Sequence, residues 1–303
     1  MKNLPASLSS LGEGLGVRAI HRPFAPNPMR VEACCQALLR HLLPEVDPQR
    51  QGVCFDVGVG TFAFYCDLFR QLGFATVAVE PLPTDKLKRR CQQQGITLLE
   101  LCLSDQVGQA ALHLGEFAKV GNRNFSSLSA DWFGSSDNTQ TVETLDLTTL
   151  LSQTETEAIT ALKLDIEGWE PVVIRQFEAL PPDRLPAVVM FEYGGGSSYA
   201  QGTQGWAPEF VEGTLDSLKI LQRLGYQTSI MVDYAPGSSA KVFDLQALDL
   251  ETETPFLANG VYGNILSFRH HQPNADQVQR LCAPYRGGLV NWIVGNLVLV
   301  TAG

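Results

Sequence analysis

The chain has 303 residues, of which 45% are hydrophobic and 18% charged, an ordinary composition for a globular protein rather than a disordered one. Its formal net charge of -10 argues against a nucleic-acid partner, because its tight basic cluster, Lys86 to Arg90, lies on the solvated face of a predicted helix. The seven cysteines form no CxxC pair, so the sequence indicates neither a disulfide framework nor a zinc knuckle and favours a reducing cytoplasm.

Along its length the chain divides into three predicted parts. Residues 1–50 are expected to form an irregular arm, which could close over a site as a lid, and a helix that Pro44 ends. Residues 51–270 form the main domain, and residues 271–303 form an extension packed on it. The apolar run from Leu289 to Val300 is shorter than the roughly 20 residues that span a bilayer, so we expect a buried strand and no membrane span.

From Gly52 onward, short apolar runs alternate with helix-like segments. This alternation predicts an α/β fold with a mostly parallel sheet, helices on both faces, and antiparallel pairing of the late strands, which lack a good crossover helix. The segment from Ala110 to Val142 breaks the rhythm and is predicted to form a hairpin and a long loop. The predicted strands are Val53–Val57, Ala75–Val79, Ile96–Leu103, Ala158–Leu164, Ala187–Phe191, Tyr226–Val232 and Val261–Phe268, and the predicted helices are Phe62–Leu72, Thr84–Gln94, Pro171–Leu180 and Thr214–Leu224.

Two carboxylates come directly after one of these buried strands. The run from Ala158 to Leu164 is followed by Asp165, Glu167 and Gly168, and a helix signal begins at Pro171. Ligands bind outside the carboxyl ends of the strands in open α/β sheets, so these acids are candidates for chemistry. Further acids end the neighbouring predicted strands: Asp56, Glu80, Asp105 and Glu192.

A glycine turn follows the first strand and precedes a helix. Gly58 and Gly60 let the backbone approach a ligand closely beside a helix N-terminus, and Asp56 ends the strand. Glu80 ends the second strand, where an acidic side chain can accept hydrogen bonds from both hydroxyls of a ribose. The pattern indicates an adenosine-containing cofactor. Two cofactors stay open, because G-x-G-x-x-A over residues 58–63 also suits NAD, whereas a rim of carboxylates favours the cationic S-adenosylmethionine.

Ser104 and Asp105 follow the third predicted strand. In a methyltransferase-like sheet that position lies beside the adenine, where Asp105 could accept a hydrogen bond from the exocyclic amine. A turn or a helix cap explains the same pair equally well, since serine and aspartate favour both.

Several short segments occur in a specific order and spacing: Asp56-Val57-Gly58, Val79-Glu80-Pro81, Leu103-Ser104-Asp105, Ser126-Ser127-Leu128, Val142 to Asp146, Lys163 to Gly168, and Phe191-Glu192. Together they resemble the FkbM family of S-adenosylmethionine-dependent methyltransferases. The resemblance implies a Rossmann-like class I methyltransferase fold, with a mostly parallel seven-stranded sheet, an antiparallel last strand and helices on both faces. It also implies methyl transfer to a hydroxyl of a sugar, glycan or natural-product small molecule. The chain departs from the family pattern at Val59-Gly60 and at Phe62, which is bulky where a small residue is usual.

Methyl transfer to a hydroxyl needs an aligned acceptor that loses its proton. Asp165 is the first candidate to orient the hydroxyl and accept the proton, Glu192 is the second, and Glu167 is the third. Lys163 shares the strand parity of Asp165 and could pair with it or with the cofactor carboxylate. The expected cofactor-binding residues are Asp56, Gly58, Gly60, Glu80, Ser104, Asp105 and Asp165.

Other side chains are weaker candidates. His21 in the arm and His113 are alternative bases, and Trp132 and Tyr193 could stack on a sugar, but ordinary surface or packing roles explain each as well. No metal ligand is assigned, because no spacing demands one. An NAD-dependent oxidoreductase or epimerase and a non-catalytic methyltransferase-like binding module stay open as alternatives. Neither the acceptor nor the oligomeric state follows from the sequence.

Overall fold

A computed structural model describes residues 28–117, 120–132, 135–194 and 206–286 of the chain. The predicted arm with His21, the glycine-rich loop after Gly194 and the apolar run from Leu289 to Val300 therefore lie outside the described residues. The side chains of residues 116–121 and 123 also lie outside them.

Strands and helices alternate along most of the described chain, as the sequence predicts. The described strands are β1 (Val53–Val57), β2 (Ala75–Val79), β3 (Thr97–Leu99), β4 (Cys102–Leu103), β5 (Gly108–Phe117), β6 (Val120–Gly121), β7 (Ser135–Leu145), β8 (Ile159–Leu164), β9 (Val188–Gly194), β10 (Thr228–Asp233), β11 (Lys241–Asp244) and β12 (Tyr262–Phe268). The described α-helices are α1 (Val31–Val46), α2 (Phe64–Gln71), α3 (Asp85–Gln94), α4 (Leu147–Gln153), α5 (Glu170–Arg175), α6 (Pro208–Arg223) and α7 (Ala275–Cys282).

The main sheet has eight strands in the order β11-β10-β12-β9-β8-β1-β2-β3. The five strands from β3 to β9 in this order run parallel, whereas β12 is antiparallel to both β9 and β10, and β11 is antiparallel to β10. The α/β class is confirmed, but the sheet is mixed and has eight strands rather than seven. The difference arises because the chain returns after β10 without a crossover helix, so the short strand β11 pairs antiparallel at the edge.

Several predicted boundaries were wrong. The helix predicted over Thr214–Leu224 begins earlier, at Pro208, and the helix predicted over Pro171–Leu180 changes from α-helix to 3-10 helix after Arg175. The third predicted strand is broken at Glu100 and Leu101, so that β3 joins the main sheet and β4 joins a second, smaller one. Pro44 does not end α1 but lies in its last turn. Proline is tolerated there because the carbonyl that loses its donor is that of Arg40, an exposed residue that water can reach.

Side chains of the central strands alternate between two covered faces. On one face Phe55 and Leu162 belong to a buried cluster with α4, α5 and α6. On the other face Cys54 and Ala161 belong to a cluster with α1, α2 and α7. Helices on both faces are thus confirmed, and α1 and α7 both pack on the sheet, while the domain boundaries near residues 50 and 270 stay predictions.

A second sheet of four strands, β4-β7-β5-β6, stands at the carboxyl end of the main sheet. Its core is the long antiparallel pair β5 and β7, which confirms the predicted hairpin. Buried side chains from this sheet and its loop, including Leu112 and Cys102, turn an apolar surface toward the strand ends. The two sheets together enclose the candidate site.

Candidate active site

A cleft of about 280 Å³ lies at the carboxyl ends of the parallel strands. Its walls come from the turn after β1, the end of β2, the smaller sheet, the turn after β8 and the end of β9, with Glu32 of α1 beside them. The structure therefore brings together most of the predicted site residues, namely Gly58, Gly60, Glu80, Asp165, Glu167 and Glu192.

The glycine turn after β1 fits tightly against the end of β8. Gly58 has φ +76°, and a Cβ atom there would lie 1.8 Å from the carbonyl oxygen of Asp165. The Gly58 amide donates to the Val79 carbonyl at 2.9 Å, which ties the turn to β2 as well. Only glycine meets both requirements, since other residues are strained at this φ and lack the space.

Glu80 is buried at the end of β2, and its carboxylate organises the glycine turn. The Oε2 atom accepts from the Gly60 amide at 2.8 Å, and Oε1 accepts from the Leu82 amide at 3.0 Å. Burial raises the pKa of Glu80, although the two backbone donors oppose this shift. Each oxygen keeps a second lone pair, so the carboxylate can still accept from a ligand in the cleft.

Asp56 does not line the cleft but lies beneath it, paired with Lys163. The two residues are partners in the register of β1 and β8, and their charged groups lie 3.0 Å apart. The Lys163 side chain is only 4% exposed, and its ammonium also contacts the Gly58 carbonyl at 2.8 Å and Asp165 Oδ2 at 3.3 Å. Desolvation lowers the pKa of Lys163, but the charges of Asp165 and Asp56 outweigh it and raise the pKa above its ordinary value. Lys163 therefore stays charged and links the glycine turn to the acidic end of β8.

Strand parity explains why the polar side chains meet. On the face that α1 and α2 cover, β8 is apolar at Ala161 and charged at Lys163, and β9 is apolar at Met190 and acidic at Glu192. By the same alternation, Asp165 lies on the same face as Lys163. Each strand thus contributes apolar packing at its centre and charge at its carboxyl end.

Three carboxylates converge at the carboxyl ends of β8 and β9. One oxygen from each of Asp165, Glu167 and Glu192 lies within 4.8 Å of the others. Burial and the charges of Glu167 and Asp165 raise the pKa of Glu192 well above its usual range, and burial and Asp165 do the same for Glu167. Carboxyl groups this close resist full ionisation, so the cluster tends to hold a proton or another positive charge beside the cleft.

The turn from Asp165 to Gly168 is held in place by a buried glutamate. Glu167 adopts φ +57°, a left-handed conformation that non-glycine residues rarely occupy. The Glu170 carboxylate accepts from the Ile166 amide at 2.7 Å and from the Gly168 amide at 3.0 Å. Burial is the main cause that raises the pKa of Glu170, to about 7. These two hydrogen bonds hold the backbone of the turn in place and so fix the direction of the Glu167 side chain.

Ser104 and Asp105 do not line the cleft. The Ser104 hydroxyl donates to Asp105 at 3.1 Å and accepts from the Trp169 indole at 3.4 Å, while the Ser104 carbonyl accepts from Gln176 at 2.7 Å. The apolar residues just before them line the cleft instead, at Leu101, Cys102 and Leu103.

The weaker candidates occupy structural positions. The His113 ring bonds the Ser136 carbonyl at 3.0 Å across the hairpin. Tyr193 is buried, and its hydroxyl donates to Asp233 at 2.7 Å. Trp132 donates its indole N–H to the Glu167 carboxylate, so it supports the acidic cluster directly.

Two further residues at the cleft were not predicted from the sequence. Glu32 accepts from the Tyr65 hydroxyl at 2.6 Å and from the Asn264 amide at 2.9 Å. Asn124 accepts from the amide and hydroxyl of Thr61 at 3.0 and 2.9 Å, which holds the outer part of the glycine turn. Neither residue lies next to a strand end in sequence, so no local pattern indicates them.

Phe62 neither enters the core nor blocks the turn. Its ring is 45% exposed at the edge of the cleft and stacks on Phe64 with ring centroids 5.3 Å apart. The departure from the family pattern is therefore accommodated at the surface.

Within the described residues, no helix has both the length and the apolar character that crossing a membrane requires.

No curated protein matches the chain in sequence. A solved candidate hemolysin from Lactococcus lactis is 11% identical with a TM-score of 0.37, over 84% of this chain and 98% of that one. The plantazolicin methyltransferase BpumL in complex with SAH is 9% identical with a TM-score of 0.33, over 79% of this chain and 84% of that one. Both TM-scores are too low to support an argument about function.

A family model supplies the decisive likeness. The model of the methyltransferase FkbM domain matches residues 51–228, which is more than half of the 303 residues and includes the glycine turn, Glu80, Asp165 and Glu192. The chain belongs to the FkbM methyltransferase domain family.

Proposed function

We propose that the protein is an S-adenosylmethionine-dependent O-methyltransferase that acts on a hydroxyl of a sugar, glycan or natural-product small molecule. One observation carries the proposal. The glycine turn with Glu80 and the carboxylates Asp165 and Glu192 face a single cleft, in a chain that belongs to a methyltransferase family.

The residues of the cleft fit a cationic adenosine cofactor. Glu80 would accept hydrogen bonds from the ribose hydroxyls, and the glycine turn at Gly58 and Gly60 would present its backbone to the ligand. Asp165 and Glu192 complement a positively charged ligand, whereas the diphosphate of NAD would meet these carboxylates with like charge. Asp56 would act through Lys163 rather than by contact.

When bound, S-adenosylmethionine supplies an activated methyl group for in-line displacement by the acceptor oxygen. Asp165 would orient the acceptor hydroxyl and take its proton, since its carboxylate is about one-third exposed to the cleft and Lys163 fixes one of its oxygens. Glu192 stands beside it as the second candidate, and its raised pKa makes it the stronger base when ionised. Glu167, held by Trp132, supports their arrangement.

Calorimetric titration tests the cofactor assignment. We expect S-adenosylhomocysteine to bind saturably and NAD not to bind under the same conditions. Binding of NAD alone would reject the proposal, and binding of neither would favour a non-catalytic module. Incubation with S-adenosylmethionine and panels of sugars and small natural products, followed by mass spectrometry for an added methyl group, then tests the acceptor class.

A further inference from the structure

The acidic cluster at the ends of β8 and β9 has a geometry suited to a ligand of its own. Asp165, Glu167 and Glu192 each place an oxygen within 4.8 Å of the other two. Two ligands on opposite sides of an ion with bonds of roughly 2.4 Å are themselves about 4.8 Å apart. One cation can therefore contact all three carboxylates with small side-chain movements.

A second observation concerns the hydrogen bonds of these carboxylates. The Oε2 atom of Glu192 is enclosed by protein and, among the described residues, has no hydrogen-bond partner. Lys163 contacts only Oδ2 of Asp165, and Trp132 contacts only Oε2 of Glu167, which leaves the other oxygen of each carboxylate for a ligand. A buried carboxylate oxygen without a donor is costly, so this oxygen calls for a partner, which a cation, a proton or a bound water can supply.

The neighbouring positive charge does not balance the cluster. Lys163 is shared among Asp56, the Gly58 carbonyl and Asp165, so its three N–H donors are already engaged. Glu167 and Glu192 therefore depend on another source of positive charge. Oxygen-only ligands of this kind select hard cations such as Mg²⁺, Mn²⁺ or Ca²⁺ over softer metals.

We propose that Asp165, Glu167 and Glu192 bind one divalent hard cation at the acceptor end of the cleft. If the proposed methyltransferase function holds, the cation would also contact the acceptor hydroxyl and help it to lose its proton. The binding site itself does not depend on that function.

Direct binding of Mn²⁺ to the cofactor-free full chain tests the site, with electron paramagnetic resonance to count the bound ion. We expect one ion per chain, with displacement by Mg²⁺ or Ca²⁺. Glu192→Gln keeps the size of the side chain and should weaken Mn²⁺ binding by at least about tenfold. Asp165→Asn should do the same, whereas Glu212→Gln, an exposed acid on α6, should bind as the wild type does.

The outcomes separate this inference from the proposed function. Circular dichroism and thermal melting establish that each variant is folded. Absence of Mn²⁺ binding to the wild type, or equal binding by the wild type, Glu192→Gln and Asp165→Asn, would overturn the metal site and leave a shared proton as the account of the cluster. S-adenosylhomocysteine binding is measured separately in chelator-treated protein, so its failure counts against the methyltransferase proposal alone.

Discussion

Lys163 is a buried cation that contacts Asp56, the Gly58 carbonyl and Asp165. An isolated buried ammonium would be expected to lose its proton, but Asp165 and Asp56 raise the pKa of Lys163 enough to keep the charge. The same contacts make the two acids dependent on it. The residue thus acts as a fixed internal counter-ion between the glycine turn and the acidic cluster.

Lys163→Met tests this dependence. Removing one partner of a buried ion pair leaves Asp56 uncompensated, so we expect the free energy of unfolding to fall by about 3–5 kcal/mol. Urea denaturation measures the loss. The matched control is Lys88→Met, which removes an exposed pair with Glu100 and should cost no more than about 1 kcal/mol. Equal losses in the two variants would contradict the role of Lys163.

Glu80→Ala tests the ribose assignment. The change removes a carboxylate from the cleft and the acceptor for two backbone N–H groups of the turn, so we expect S-adenosylhomocysteine to bind roughly 10- to 100-fold more weakly. Titration calorimetry gives the ratio. Glu100→Ala alters an exposed acid and should leave the affinity unchanged. Wild-type affinity in folded Glu80→Ala would refute the assignment.

Among the elements, the turn between β1 and α2 tolerates the least change. Gly58→Ala places a methyl group against the Asp165 carbonyl at 1.8 Å, so β1 and β8 would have to move apart at the site. We expect loss of S-adenosylhomocysteine binding and a marked drop in thermal stability. Gly225 has a similar φ of +86° but open space around it, so Gly225→Ala should cost only about 1–2 kcal/mol and spare binding. Similar behaviour of the two variants would show that space at Gly58 is unimportant.

The elements also show how far the sequence could predict the site. Glu80, Asp165 and Glu192 are predictable because parallel strands deliver their last residues to one edge. Glu32 is not, since its place depends on the packing of α1 against β12, whose Asn264 is distant in sequence. The strand β11 and the break between β3 and β4 escape for the same reason, because tertiary pairing rather than local propensity decides them.

At the scale of the whole molecule, the acids are distributed unevenly between surface and interior. Exposed acids account for much of the net charge of -10, but Glu80, Glu170 and Asp233 are buried, and burial raises the pKa of each. Such groups bind protons more readily in the folded chain than in the unfolded one. Their ionisation therefore opposes folding.

This distribution predicts that the protein loses stability as pH rises toward the alkaline side of neutrality. The raised pKa of Glu170 contributes to the free energy of unfolding. This stabilising contribution is fully present below about pH 4.5, the unfolded pKa of Glu170, and is lost as pH rises through the folded pKa of about 7. The loss in the free energy of unfolding from Glu170 is of the order of 3 kcal/mol. The pKa values of Asp47 and Asp249 are lowered, so these two groups lose their stabilising effect as pH falls, but only in more acidic solution. The raised pKa of Lys163 changes the stability only above its unfolded pKa of 10.5.

Urea denaturation at about pH 5.5 and pH 8 measures the effect. We expect a lower free energy of unfolding at the higher pH and a smaller difference in Glu170→Gln, which cannot ionise but still offers one oxygen to the turn. Glu212→Gln, an exposed control, should keep the wild-type difference. A free energy of unfolding that rises over this interval would contradict the prediction, because it would mean that the buried acids gain positive partners in the folded chain.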